Sequence, residues 1–420
     1  MTHRWIAETA DLDEIVDRLL AEPRYALDTE FHRERTYWPK LALLQLAAAD
    51  EIVLVDPLSC DMAPLRRLFA GDALAVVHAA QQDLDVLTHA AGAVPARLYD
   101  TQLAAGFLGY STPSLVSLLW GELKVTAAKG DRLTDWVRRP LTDEQQAYAA
   151  GDVAHLLELH DVLEAKLAPL GRTEWVAAAC EELRTRPVSG TDPDSAWLRL
   201  KEVRALKPRA RGVARAVAAW RERRAMATNI PVRQVLPDLA LLGVSQKQPR
   251  TLRDLASARG VDDRHARGTF GKELLAAVAD GLDSEAELPT SDVDELDRNL
   301  RPAVTLVSAW VSEVARKERI DTSLVATRND LVALLRGDDG AKLRTGWRAE
   351  LLGDDIVRLV GGRAGLTFDG RGGLRLTDVI DPVASAESVA DESGDHAGPP
   401  GDVLAERLAT EPAGGVDDDR

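Results

Sequence analysis

Only two cysteines occur in the 420 residues. Cys60 and Cys180 lie far apart, with neither a CxxC nor a Cys–His spacing. That excludes a disulfide framework and a zinc site, and leaves both as small buried apolar residues. No apolar run reaches the roughly eighteen residues a transmembrane helix needs, and the opening MTHRWIAETADLDE lacks a signal-peptide pattern. A cytoplasmic protein with no membrane partner is therefore expected. The glycine-rich stretch GGRAGLTFDGRGG at 361–373 has no Lys-Ser/Thr pair and no strand-to-helix setting. It reads as a hairpin or turn pair and implies no nucleotide cofactor. No Ser-His-Asp or Cys-His arrangement offers nucleophilic catalysis either.

Positive charge is also scarce, at 52 Lys and Arg against 68 Asp and Glu, but unevenly so. Residues 195–281 carry 18 basic against 8 acidic side chains, a net of +10, and residues 295–378 are near neutral at +1. Residues 1–194 carry −13, and residues 381–420 carry −9. A polyanion would be repelled by the first region and attracted by the module that follows it. The basic side chains concentrate between 199 and 224, at Arg199, Lys201, Arg204, Lys207, Arg209, Arg211, Arg215, Arg221, Arg223 and Arg224. These are the candidate nucleic-acid contacts, the competing reading being a solvated helical face. Trp197 and Trp220 could stack on bases, but their spacing from Leu200 and Val217 suits core positions better.

What the acidic first region does contain is five side chains spaced for chemistry. In YALDTEF the residues from 24 read as a strand, so Asp28 and Glu30, at i and i+2, project to one side. Asp83, in VVHAAQQDLDVL, follows the apolar stretch 74–77 where a strand hands over to a helix. Residues 142 to about 167 have helical periodicity after a Thr-Asp-Glu start, which puts Tyr148 and Asp152, at i and i+4, on one face. Asp85 is the alternative to Asp83, but two residues further along a helix it would point elsewhere. Carboxylate oxygens are the ligands Mg²⁺ and Mn²⁺ prefer. Four acids balance two such ions, which can clamp the attacking and leaving oxygens of an in-line displacement at phosphorus. The tyrosine hydroxyl would orient the attacking water. The set points to a nuclease with catalytic residues Asp28, Glu30, Asp83, Tyr148 and Asp152, the four carboxylates being the metal ligands.

These three segments resemble the three motifs of the DEDD exonuclease superfamily, in the subclass with tyrosine in its third motif, and within it the ribonuclease D family. The patterns are DxE at Asp28, H-A-x-x-x-D from His78 to Asp83, and Y-x-x-x-D at Tyr148, with KLALLQLA and DWVRRPLTDEQQAYAAGDV as supporting text. The resemblance implies a ribonuclease-H-like fold and a 3′–5′ exoribonuclease that releases nucleoside 5′-monophosphates from tRNA precursors and other structured RNAs. Further on, AWRERRAMATNIPVRQVLPDLALLGV resembles the HRDC domain, which implies a helical bundle that binds nucleic acid. A second copy lies 90 residues later: Ala219, Trp220, Ala225, Ile230, Val235 and Leu241 recur as Ala309, Trp310, Ala315, Ile320, Val325 and Leu331. Being near neutral, it should pack or shape more than it grips.

The expected organisation is an α/β exonuclease domain over 1–183, a linker at 184–195, an HRDC domain at 196–281, an acidic linker at 282–297, a second HRDC-like bundle at 298–378 and a disordered acidic tail at 379–420. The Pro, Gly and acid content of the two linkers and the tail supports these limits. Strands are expected near 24–29, 42–47, 51–55 and 74–77, the second and third joined as a hairpin, giving a mixed sheet. After the exonuclease domain the chain should be almost wholly helical. Two other functions stay open on the residues alone, a DNA 3′–5′ exonuclease of repair type and a non-catalytic RNA-binding protein.

Overall fold

The structure, a computed structural model, describes residues 2–48, 51–126, 134–186, 192–284, 286 and 292–379. Its first region is built on a six-stranded sheet in the order β1-β4-β3-β2-β5-β6, formed by β1 (Arg4–Ile6), β2 (Arg24–His32), β3 (Lys40–Ala48), β4 (Glu51–Val55), β5 (Leu74–Val77) and β6 (Leu98–Asp100). The expected β3–β4 hairpin is present. β2 and β3 are also antiparallel, whereas the β1–β4, β2–β5 and β5–β6 pairs are parallel, so the sheet is mixed as the sequence implied. β1 and β6, three residues each, were not anticipated.

Along β2 the period of two sorts side chains between two cores. Tyr25 and Leu27 belong to a large cluster with Leu12, Ile15 and Val16 of α1 (Thr9–Leu20), Leu65 and Leu68 of α2 (Leu65–Ala70), and Leu84 and Leu87 of α3 (Gln81–Ala90). The opposite face is covered by Leu141, Ala149 and Ala150 around α6 (Asp143–Ala154), against Leu43 and Leu54. α4 (Thr101–Gly106) and α5 (Leu115–Leu123) lie between them in the chain, and α7 (Leu156–Leu167) and α8 (Thr173–Arg184) complete the region.

The single helix expected over 142–167 is instead two. His155, at φ −119° and ψ 8°, leaves the helical region and separates α6 from α7. The break lets α6 pack on β2, β3 and β4 while α7 packs on α4, α5 and β5.

The first bundle comprises α9 (Pro208–Thr228), α10 (Val232–Val235), α11 (Asp238–Lys247), α12 (Leu252–Ala256) and α13 (Gly268–Leu282). Trp197 is buried in its core, and Trp220 sits edge-on to Phe270, both as core spacing implied. α9 and α13 cross at two glycines. A Cβ on Gly212 would lie 1.7 Å from the Ser284 carbonyl oxygen, and one on Gly281 2.5 Å from Val213 Cα.

The 90-residue repeat is structural. α14 (Asp292–Glu318), α15 (Thr322–Val325) and α16 (Arg328–Arg336) end, begin and turn at positions 90 residues after their counterparts α9, α10 and α11. Asn229 and Arg319 both adopt left-handed φ, at 51° and 54°, to close the first helix of each copy. The amide of Ile230 bonds to Ala225 O and that of Ile320 to Ala315 O. The acidic stretch 282–297 thus ends inside α14, whose first turns it supplies. Part of it, like 187–191 of the other expected linker and 380–420 of the tail, lies outside the described residues. α17 (Gly346–Val360) is interrupted at Gly353.

From Val357 onward the chain forms a separate compact unit. Within it β7 (Ala364–Phe368) and β8 (Leu374–Asp378) pair as an antiparallel hairpin, so the C-terminal part is not wholly helical. The Asp369 carboxylate accepts from the amides of Arg371 and Gly373 to shape its turn. No described helix is long and apolar enough to cross a membrane.

Gly212→Ala should destabilise the protein by about 2 kcal/mol, because backbone has to move to admit the methyl group. Urea unfolding monitored by tryptophan fluorescence gives the value, and a change below a few tenths would show that the crossing can relax.

Candidate active site

The sequence-derived residues converge on one pocket of about 320 Å³ lined by Asp28, Glu30, Asp83, Tyr148 and Asp152, with Thr29 and His78 beside them. Asp28 and Glu30 stand opposite Gln45 and Leu43 in the β2–β3 register, on the face that α6 covers. The register shifts between Glu30 and Phe31, and such a bulge redirects side chains at the end of a strand. Ligand oxygens of Asp28, Glu30 and Asp152 all lie within 4.8 Å of one another.

Helix α6 is fixed at its start by a capping box between Thr142 and Gln145. Its i and i+4 residues Tyr148 and Asp152 both line the pocket, where the Tyr148 hydroxyl counters the rise of the Asp152 carboxyl. Asp83 enters from the other side on the first turn of α3. Thr29, between the two β2 acids, donates its hydroxyl to Asp83 Oδ1. The turn that aims α3 is itself held: Ala79 adopts φ 57°, and the Asp100 carboxylate accepts from the amides of Ala79 (3.0 Å) and Ala80 (2.9 Å). A non-glycine residue in that conformation persists only where its surroundings dictate it. Asp85 points away, into a 2.7 Å ion pair with Arg33.

Burial is the main reason that all four carboxyls hold their protons to unusually high pH, and mutual repulsion adds to it for the β2 pair. Glu30 is pushed up to about 8 by burial and by Asp152 and Asp83. Burial raises Asp152 to about 7 against the lowering effect of the Tyr148 hydroxyl, and raises Asp83 to about 6 against that of Thr29. Asp28 is raised well above the carboxylate range by burial and by Asp83, Asp152 and Glu30. No lysine or arginine is among the described residues lining the pocket. An oxygen-only donor set with uncompensated negative charge fits divalent cations.

Comparison with known proteins agrees with this geometry. Residues 3–168 match the 3′-5′ exonuclease family, and residues 210–278 match the HRDC domain. Ribonuclease D of Gluconacetobacter diazotrophicus is 38% identical over 375 residues, covering 87% of this chain and 94% of that one. The chain belongs to the ribonuclease D family. Ribonuclease D of Acidiphilium cryptum is likewise 38% identical, over 383 residues, 87% of this chain and 95% of that one. The crystal structure of Escherichia coli RNase D, an exoribonuclease involved in structured RNA processing, superposes with a TM-score of 0.76 at 28% identity, covering 86% of this chain and 99% of that one. Like the family, the protein is a metal-dependent 3′–5′ exoribonuclease, a hydrolase with a ribonuclease D fold and a helical HRDC region.

Two residues beside the ribonuclease D site were not singled out from sequence. Gln45, cross-strand from Asp28, is wholly buried, with neither amide atom partnered among the described residues. An amide in the apolar run of β3 was the available signal. Arg139 holds the segment before α6 by bonding to Asp56 through two nitrogens, at 2.9 and 2.7 Å, and to the carbonyls of Ala42 and Trp136. Burial alone would raise the Asp56 carboxyl, but Arg139 brings it below its ordinary value.

The ten basic candidates do not gather at this pocket. Arg221 is buried, donating to Leu236 O and Asp238, so it is a packing residue of the first bundle and is withdrawn as a phosphate contact. Arg199, Arg223 and Arg224 pair with Glu222, Asp194 and Glu273. Arg211 donates to the Arg204 carbonyl. Lys201, Lys207, Arg209 and Arg215 are exposed and form no ion pair among the described residues.

Metal-free protein should lose thermal stability as pH rises from about 4.5 to 8.5. The unfolded chain releases these carboxyl protons near pH 4, whereas the folded pocket keeps them until pH 6–8. The penalty is absent well below pH 4, where both states are protonated, and grows as pH passes up to the folded values. Melting in chelator across this range should show the decline, and Mg²⁺ or Mn²⁺ should reverse it. A profile no flatter in Asp28→Asn/Asp152→Asn than in the unsubstituted protein would mean that the decline originates elsewhere.

Proposed function

We propose that Asp28, Glu30, Asp83 and Asp152 hold two divalent cations, Mg²⁺ or Mn²⁺, and that Tyr148 orients the water that attacks the last phosphodiester of an RNA strand. Three carboxylates with ligand oxygens within 4.8 Å of one another, in a pocket that Asp83 and Tyr148 also line, are the observation that carries the reading. When bound, the cations activate the water, offset charge on the phosphoryl oxygens and stabilise the leaving oxygen. Water adds to phosphorus, the bond to the 3′ oxygen of the preceding nucleotide breaks, and that oxygen takes a proton. The terminal nucleotide leaves as its 5′-monophosphate.

Burial and neighbouring carboxylates raise the Tyr148 phenol above its ordinary value, so it stays neutral at physiological pH. A neutral phenol is a poor base but a good positioner. With its hydroxyl proton turned toward Asp152, its oxygen accepts from the attacking water. Asp100 and Thr29 keep Asp83 on the far side of the pocket, and Arg139 holds the approach to α6.

The substrates are tRNA precursors and other structured RNAs, met in the cytoplasm. Residues 1–183 serve as the exonuclease domain, 196–281 as the HRDC domain and 298–378 as its second copy. The acidic exonuclease domain gains RNA through the exposed cations of the first bundle, Lys201, Lys207, Arg209 and Arg215, with Arg204 and Arg211 in support.

Incubation of 3′-labelled RNA and DNA with Mg²⁺, Mn²⁺ or chelator tests the reading. Metal-dependent release of 5′-monophosphates from RNA is expected. Asp152→Asn should abolish turnover while leaving the fold intact, and normal turnover by that variant would sink the mechanism. Tyr148→Phe should lower kcat on the order of a hundredfold through misplaced water, with metal affinity by calorimetry nearly unchanged. Loss of metal affinity as large as in Asp152→Asn would show that Tyr148 has another role.

A further inference from the structure

A polar cleft beside the catalytic pocket encloses about 630 Å³ between the exonuclease domain and the second helical repeat. It adjoins the catalytic pocket at Ala79 and Gln82, which line both. Its charge is of the opposite kind. The catalytic pocket is lined by four carboxylates, whereas Arg33, Arg186, Lys342 and Arg348 project into the cleft among Gln81, Gln82 and Gln102. Its acidic members are engaged: Asp100 caps α4 and Asp330 closes the capping box of α16. Glu182 binds Arg348 at 2.5 Å, tying α8 to α17.

The cations differ in how firmly they are held. Arg348 is nearly buried and also donates to the carbonyls of Leu324 and Val325, so it belongs to the join between the two walls. Lys342 is half exposed and reaches Glu182 at only 3.4 Å, a contact that contributes little in water. Arg186 is exposed and among the described residues its side chain meets only the neutral Gln81 amide, at 3.3 Å. Each of these two can turn to a phosphate without stranding a buried charge. The amides beside them supply the donors and acceptors that a ribose or base edge needs.

We propose that this cleft grips the sugar–phosphate backbone of the RNA strand just upstream of the scissile bond, with Arg186 and Lys342 as its phosphate contacts, while Arg33 stays paired with the buried Asp85. The inference rests on the exoribonuclease reading of that pocket. A strand held by cations here presents its next phosphodiester to carboxylates that would otherwise repel it, and the second repeat contributes locally despite its near-neutral sum.

The test uses full-length protein and a labelled single-stranded RNA of about a dozen nucleotides. Equilibrium binding is measured in chelator from about 50 to 300 mM salt, alongside hydrolysis of a dinucleotide in Mg²⁺. Arg186→Gln/Lys342→Gln should weaken binding on the order of tenfold and lower the log–log salt slope by about 1.4, or about 0.7 per lost contact. Arg186→Lys/Lys342→Arg should keep most of both. Hydrolysis of the dinucleotide, a dinucleoside monophosphate with no phosphate upstream of the scissile one, should be unaffected by either pair. Unchanged affinity and salt slope in the glutamine variant would overturn the proposal. So would a loss of dinucleotide hydrolysis equal to the loss of binding, since the residues would then act on the catalytic pocket itself. If the unsubstituted protein fails to hydrolyse any substrate, the exonuclease reading falls, while the binding arm still decides the cleft.

Discussion

Four carboxylates confined to one pocket oppose folding through burial and repulsion, and the surrounding structure is arranged to hold them there regardless. Each is fixed by a different device. The β2 strand places Asp28 and Glu30 two residues apart on one face, the bulge after Glu30 sets the end of that face, and Thr29 reaches through to the third acid. Asp100 holds Ala79 in a left-handed turn that aims α3, and Arg139 fastens the segment leading into α6 to β3 and to Asp56. Because the devices lie on separate elements, the acids cannot relieve their repulsion by moving together. A bound cation, or a proton, must do so instead.

Much of this was legible in the sequence because it depends on short periods. Spacings of two on a strand and four on a helix carry directly into which side chains share a face. β1 and β6 escaped notice because three residues show no alternation. The break at His155 was hidden because apolar spacing continues through it, the two halves serving different neighbours. Gln45 and Arg139 were missed for another reason. Their importance comes from what lies across a strand or at the far end of a loop, and no local pattern encodes that. The basic stretch 199–224 shows the converse error, since a helix rich in arginine looks uniformly cationic until burial separates Arg221 from its exposed neighbours.

The two helical copies show how one unit can be put to two uses. Both close their first helix with a left-handed residue and start the next from the same relative position, so the backbone repeats while the surface does not. The exonuclease loop at 33–39 meets the first copy through Tyr37 on the buried Glu222 and through the Trp38 amide on Asn229. The second copy is joined more extensively: Arg172 pairs with Glu318, the Asp321 amide bonds to the Gly106 carbonyl, Trp175 stacks on Trp347, and Arg348 clamps Glu182.

That difference in attachment bears on how an acidic exonuclease domain can handle a polyanion. On the proposed reading, exposed cations on the first copy would raise the local concentration of RNA without having to meet the scissile bond, an effect that tolerates imprecise placement. Orienting a strand end over four carboxylates does not tolerate it, because a misplacement of about 1 Å costs on the order of a hundredfold in rate. Precision therefore requires contacts from a surface fixed to the domain that carries the carboxylates. Among the described residues the second copy is fixed to that domain through α8 and the end of α4 at Gly106, despite carrying almost no net charge. On the proposed reading, net charge marks where RNA is attracted and rigid attachment where it is aligned.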